Sequence, residues 1–279
     1  MTAASPMGDK TASEAKKGDL AMADGTFISY TKIATLTDAQ KANVAGIVFW
    51  TTADSNTSGN TPARLTDDEI MKEDFPYCTH GLIVSLKKFS QNSTNWQSSY
   101  SSIASWQSST AFNPDNKDKY KSIASSVKPD APINYILGYQ NTKILKSYNE
   151  QCEDSYKVLP VSLLASWVLT NPAPANTTGW FFPSFKELTL LCGDDKDVCV
   201  TMNILNDEFG TSTWTKMNSI LTSIRESLGT GYAEILAAGG FNSSSEKSYS
   251  HKFYVTLGNG FGNYHQKNQI CYVRAVCAY

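Results

Sequence analysis

Apolar and polar positions follow two periods along this chain, and they mark out its elements. The unbroken run Val44-Ala-Gly-Ile-Val-Phe-Trp50 has the length and β-branched content of a central strand covered on both faces. Gly81–Leu86 predicts a second strand of the same kind. Ahead of them, Gly18–Tyr30 reads as two short strands about an Asp24-Gly25 turn. Helical spacing is predicted over 38–43, 116–127 (stopped by Pro129 and Pro132), 141–157 and 160–169. Ser184 and Glu187 have the spacing of a capping box, so a helix is expected to begin at Ser184, just after Pro183. Over 214–228, Met217, Ile220, Leu221, Ile224 and Leu228 form one apolar stripe of an amphipathic helix. Ala233–Ala237 reads as a further strand.

Beyond Gly239 the period changes to two. Phe253, Val255 and Leu257 alternate with Tyr254 and Thr256, and Gly258-Asn259-Gly260 supplies a reversal. Cys271, Val273, Ala275 and Cys277 then alternate with Tyr272, Arg274, Val276 and Ala278, which predicts a closing strand. One face of such strands packs inward. The other presents aromatic and polar groups, the residue types that give large contact area with few rotors and one polar handle each. The candidate ligand-binding residues are Phe241, Asn242, Tyr249, Ser250, His251, Phe253, Asn263, Tyr264, His265, Asn268 and Tyr272.

The organisation expected is a disordered leader or linker over 1–17 and a single domain over 18–279. Within it, 90–178 is a loop and helix insertion and 239–279 the ligand-binding segment. The stretch 90–114 is rich in Ser, Asn and Gln, with Trp96, Tyr100, Trp106 and Phe112 placed to pin it to the core. Asn171–Thr178 reads as a linker.

A net charge of −2 offers no basic field for a phosphate backbone, which argues against a nucleic-acid partner. No apolar run approaches the ~20 residues that span a bilayer, and Met1–Lys17 has no apolar core of a signal peptide. The 6 cysteines, Cys78, Cys152, Cys192, Cys199, Cys271 and Cys277, are too scattered for a disulfide scaffold, although Cys192 and Cys199 could pair across a loop.

Catalytic chemistry has little to stand on. His80, His251 and His265 fall in different segments and lack partners at metal-ligand spacing, so no catalytic residue is expected. Asp194, Asp195 and Asp197 make an acidic loop that could offer oxygens to calcium, but a calcium site needs about six to eight in fixed geometry, so a solvated loop is the simpler reading and no cofactor is expected. Glu246 and Arg274 are expected to pair and organise the C-terminal strands.

Four segments together resemble a known group. The opening Gly-Asp-Leu-Ala-Met-Ala-Asp-Gly-Thr with Gly46-Ile-Val-Phe49 resembles surface proteins of Bacteroides-type gut bacteria. Gly179-Trp180, Pro183-Ser184 and Glu187-Leu188 match G-W-x-x-P-S-x-x-E-L. Phe241–Glu246 is similar to Y-W-S-S-T-E, with Asn242 at the position of Trp, and Val273–Val276 matches V-R-A-V. The resemblance implies an α+β, C-type-lectin-like fold of the formylglycine-generating-enzyme branch. It also resembles variable proteins of diversity-generating retroelements, whose randomised positions fill with Asn, Ser, Tyr, Phe, His and Asp. It implies a non-catalytic binding protein at the cell surface or secreted, with a lipid anchor upstream as one route. The implied partner is a protein or glycan on another surface. An adhesin or fimbrial-tip component is the alternative. A formylglycine-generating enzyme is the weaker one, because Cys271 and Cys277 on one strand would stand about 20 Å apart.

Overall fold

The computed structural model describes residues 6–57, 61–128, 130–196 and 209–279. A central antiparallel sheet runs in the order β2-β1-β3-β4-β8, built from β1 (Leu20–Met22), β2 (Phe27–Ile28), β3 (Val44–Thr51), β4 (Gly81–Ser85) and β8 (Val276–Ala278). A second antiparallel sheet is formed by β5 (Gly240–Glu246), β6 (His251–Thr256) and β7 (Phe261–Gln266). The helices are α1 (Asp38–Ala42), α2 (Glu69–Asp74), α3 (Ile103–Ser108), α4 (Gly138–Gln151), α5 (Leu159–Trp167), α6 (Phe185–Cys192) and α7 (Ser212–Leu228). The molecule is thus mixed α and β with antiparallel sheets.

The central sheet is buried on both faces, which is why its strands read as continuous apolar runs rather than alternating ones. Leu20, Ile47, Phe49, Leu82 and Val84 pack into one core, with α6 and α7. Ala21, Val48, Ile83 and Cys277 pack into a second core on the opposite face, with Ile144, Leu145 and Leu164 of α4 and α5. A bulge after Val48 adds Phe49 to β3 and lets both Phe49 and Trp50 reach the first core.

Local chemistry sets the ends of these elements. Gly25 takes φ +82° in the β1–β2 turn, where a side chain would collide with the Ala175 carbonyl. The expected helix start is found at Ser184, whose backbone N–H is held by Glu187. Residues 6–17 do not behave as a loose leader. Lys10 exchanges backbone hydrogen bonds with Phe27 at 3.0 and 2.9 Å, Met7 donates to Asp24, and Lys10 pairs with Asp19, so this segment is an added sheet edge.

Other local differences have identifiable causes. Only a short 3-10 turn, Lys117–Lys119, forms within 116–127, because backbone groups there pair with side chains instead: Lys121 N–H with Gln140 and Ile123 N–H with Gln107. Ala233–Ala237 joins no sheet; Leu236 exchanges its backbone bonds with the Asn218 amide on α7. The closing strand is confined to β8, since the chain before it crosses between the two sheets: Tyr272 bridges Phe241 in one and Val276 enters the other.

The 90–114 segment is pinned as its tryptophans suggest. Trp96 is buried and its indole donates to the Ser243 carbonyl at 2.9 Å, tying the segment to β5.

Candidate binding surface

The small sheet carries most of the candidate residues, and its register decides which way each one faces. Pairing of His251 with Gln266, Phe253 with Tyr264 and Val255 with Gly262 puts these residues on one face. Lys252 with His265, Tyr254 with Asn263 and Thr256 with Phe261 occupy the other. The first face is the inner one. Phe253 meets Phe185 of α6 at 5.5 Å between ring centroids, and Gly262 lies so close to Phe185 that a Cβ there would clash.

Three candidates are therefore interior. Phe253 and Val255 are core residues of the period-two inward set, so Phe253 has no surface to offer a ligand. Phe241 is buried on the same face, its ring 5.5 Å from that of Tyr272. Asn242, at the position where the resembled motif has Trp, is fully enclosed. Its amide N–H donates to the Thr94 carbonyl at 2.8 Å and its oxygen accepts from the Lys252 ammonium. The ammonium also lies 3.0 Å from the Cys271 sulfur, so a small polar cluster fills this interior position. Burial lowers the pKa of Lys252, while the neighbouring Cys271 acts in the opposite sense.

The remaining candidates form separate groups. Tyr264 (40% exposed) stands at the margin of the inner face against His251, ring centroids 5.7 Å apart, and the Lys247 ammonium lies 5.8 Å from its ring. The Ser250 hydroxyl holds His251 Nδ1 at 2.9 Å. Tyr249 is 60% exposed and meets Tyr100 edge-on at 6.4 Å, at the same end of the sheet. Asn268 is exposed in the turn after β7, and Tyr272 is partly exposed beside Gly239.

His265 and Asn263 belong to the outer face. There His265 stacks on Tyr254, centroids 4.3 Å apart and planes 10° from parallel. Tyr254 lies flat because Gly240 has no side chain: a Cβ would come within 2.8 Å of the ring. The Lys252 ammonium sits 5.5 Å from the same ring centroid, beneath it. Desolvation lowers the His265 pKa first, and the nearby Lys252 charge lowers it further, which favours the neutral imidazole. Half-buried Thr256 and Phe261 complete this face. Tyr254 is thus a residue the candidate set lacks, although its outward phase is plain in the Phe253–Leu257 alternation. Adjacent residues Tyr264 and His265 point to opposite sides, so the candidates do not make one continuous patch.

Buried charges hold the sheet in place. Glu246 pairs with Lys267 rather than with Arg274, both side chains fully enclosed and 2.5 Å apart, and it also accepts from the backbone N–H groups of Ile103 and Ala104 at the start of α3. Arg274 instead donates to the carbonyls of Ser85, Leu86 and Glu234, bracing β4. Sequence spacing carries no signal for the lysine partners: Lys267 lies under Trp96 and pairs its carbonyl with residues 96–97, while Lys252 is engaged by Asn242 and Cys271.

The remaining candidates for chemistry are engaged elsewhere. Asp195 gives one oxygen to Lys186 at 2.7 Å and the other to the N–H groups of Asn56 and Ala63, which leaves it poorly placed for calcium. Asp194 accepts from Ser212, Asp197 and Cys199 lie outside the described residues, and no group of three or more His, Cys, Asp or Glu suited to a metal occurs among the described ones. Cys78, Cys152, Cys192, Cys271 and Cys277 are free thiols, and burial pushes the Cys277 thiol far above its ordinary range. No described helix is long and apolar enough to cross a membrane.

No protein-family model matches the chain. Over 210 residues it is 29% identical to a Bacteroides ovatus protein described as a fimbrium tip subunit, Fim1C, an alignment covering 64% of this chain and 33% of that protein. Its fold matches the crystal structure of a fimbrial protein from Bacteroides ovatus with a TM-score of 0.65 at 21% identity, over 95% of this chain and 49% of the solved one. The chain therefore spans about a third to a half of the length of these proteins. The proteins it is similar to are thus described as fimbrial, and both come from Bacteroides ovatus.

Proposed function

We propose that this chain is a non-catalytic adhesin-type domain of a fimbrial-tip protein, displayed at the cell surface, with the outer face of the β5-β6-β7 sheet as its recognition surface. The observation that carries the proposal is the similarity to a fimbrium tip subunit, together with a fold shared with a fimbrial protein. The geometry is in keeping with it. A pre-formed Tyr254–His265 stack over a braced sheet offers contact area without the ordering cost of mobile side chains. A formylglycine-generating activity is disfavoured, because Cys271 and Cys277 are both interior and Cys271 is engaged by Lys252. The C-type-lectin-like scaffold and retroelement diversification of residues 239–279 are finer readings, on which recognition by this face does not depend.

Immunogold labelling of intact, unpermeabilised cells with an antibody to this chain tests the placement. Label at fibre ends is expected. Absence of label from the surface of intact cells, or label spread evenly along fibre shafts, would refute the fimbrial-tip role.

A further inference from the structure

A groove of about 520 Å³ lies apart from the small sheet, where the ends of β3, β4 and α5 meet the loop after α7. Its aromatic lining is Trp167, Trp180 and Tyr232. Trp180 is buried and its ring centroid lies 6.2 Å from that of Trp167, while Trp167 is half-buried and Tyr232 is 42% exposed. Asn43, Asn171 and Lys87 supply the polar groups.

The hydrogen bonding of those groups is half used. Asn43 and Asn171 spend their amide N–H donors on backbone carbonyls and a neighbouring hydroxyl, and neither amide oxygen has a donor among the described residues. Lys87 makes no ion pair among the described residues, and no Asp or Glu lines the groove, so it carries one positive charge with no compensating carboxylate. Among the described residues the buried indole N–H of Trp180 also has no acceptor. Such a lining matches a ligand with flat apolar C–H faces, a rim of hydroxyl donors and a negative charge.

We infer that this groove is a binding site for an anionic glycan, with a carboxylated pyranose ring lying against Trp167 and Tyr232. Hydroxyl groups of the sugar donate to the amide oxygens of Asn43 and Asn171, and the carboxylate meets the Lys87 ammonium. A neutral sugar gains the ring contact but leaves the Lys87 charge unanswered. A peptide is a poorer fit, because no lining residue belongs to the small sheet, whose edges are where an extended strand could pair. This site goes beyond the small-sheet surface and stands or falls independently of it.

Isothermal titration calorimetry of the full chain with sialyllactose and with trigalacturonate tests the assignment, with lactose as the neutral control. Binding of at least one carboxylated sugar with Kd of about 1 mM or tighter is expected, and which of the two binds identifies the source of the acidic sugar. Tyr232→Ala, at an exposed position that leaves the fold intact, and Trp167→Ala should each weaken it about tenfold or more. Lys87→Gln should abolish the preference over lactose, and Tyr254→Ala with His265→Ala should change nothing. Absence of binding by both acidic sugars, equal binding by lactose, or wild-type affinity in a folded Tyr232→Ala protein would each overturn the proposal.

Discussion

Glu187 is a carboxyl group from which water is wholly excluded. It accepts the backbone N–H groups of Ser184 and Gly138, yet desolvation outweighs both and raises its pKa to about 8. Asp68, buried under α4, is raised to about 6 for the same first reason. A carboxyl group whose folded pKa lies above its unfolded value stabilises the fold below the unfolded pKa, and that contribution is lost as pH rises. Stability should therefore fall progressively between about pH 4.5, where the unfolded Glu ionises, and about pH 8, where the folded Glu187 does. Thermal unfolding across that range should show a decline in Tm, and Glu187→Gln should flatten its upper part. An unchanged slope in the variant would mean that Glu187 is not the group responsible. The capping role of this residue is readable from its spacing to Ser184; its protonation is not, because burial is decided by α2, α4 and the segment before α6.

At the level of elements, the small sheet shows what a period of two reveals and what it hides. Inward Val255 and outward Tyr254 follow directly from the alternation. The pairing partner does not, and β5 and β7, whose Ser, Asn and Gly content carries weak strand propensity, are defined by their pairing with β6. Residue type alone places Phe241, Asn242 and Phe253 among surface candidates, whereas the register and the covering 94–97 segment enclose them. Asn242 is the clearest case, a polar residue at an interior position, matched by the Lys252 ammonium. Replacing it with Leu removes that acceptor and leaves the buried ammonium with only the Cys271 sulfur and the Tyr254 ring beside it. Asn242→Leu should cost about 2–4 kcal/mol in chemical denaturation. A loss below about 0.5 kcal/mol would show that Lys252 is held neutral and needs no partner.

At the scale of the whole molecule, the central sheet was the most legible part, since strands covered on both faces announce themselves as apolar runs. The attachment of residues 6–17 was not, because a short Lys- and Ala-containing segment held by backbone pairing leaves no apolar run. The binding surface lies between these limits: its residue types are visible in the sequence, and its division between two faces is a property of the fold.

That division gives the recognition claim its sharpest test. Adhesion of cells displaying the full-length protein can be measured on a panel of immobilised extracellular-matrix proteins and neutral glycans, comparing wild type with the Tyr254→Ala, His265→Ala double variant and with Tyr264→Ala. The outer-face surface predicts that the double variant loses at least about tenfold in adhesion while Tm and surface display are unchanged, and that Tyr264→Ala retains most of it. Full adhesion by a folded, displayed double variant would contradict recognition by this face.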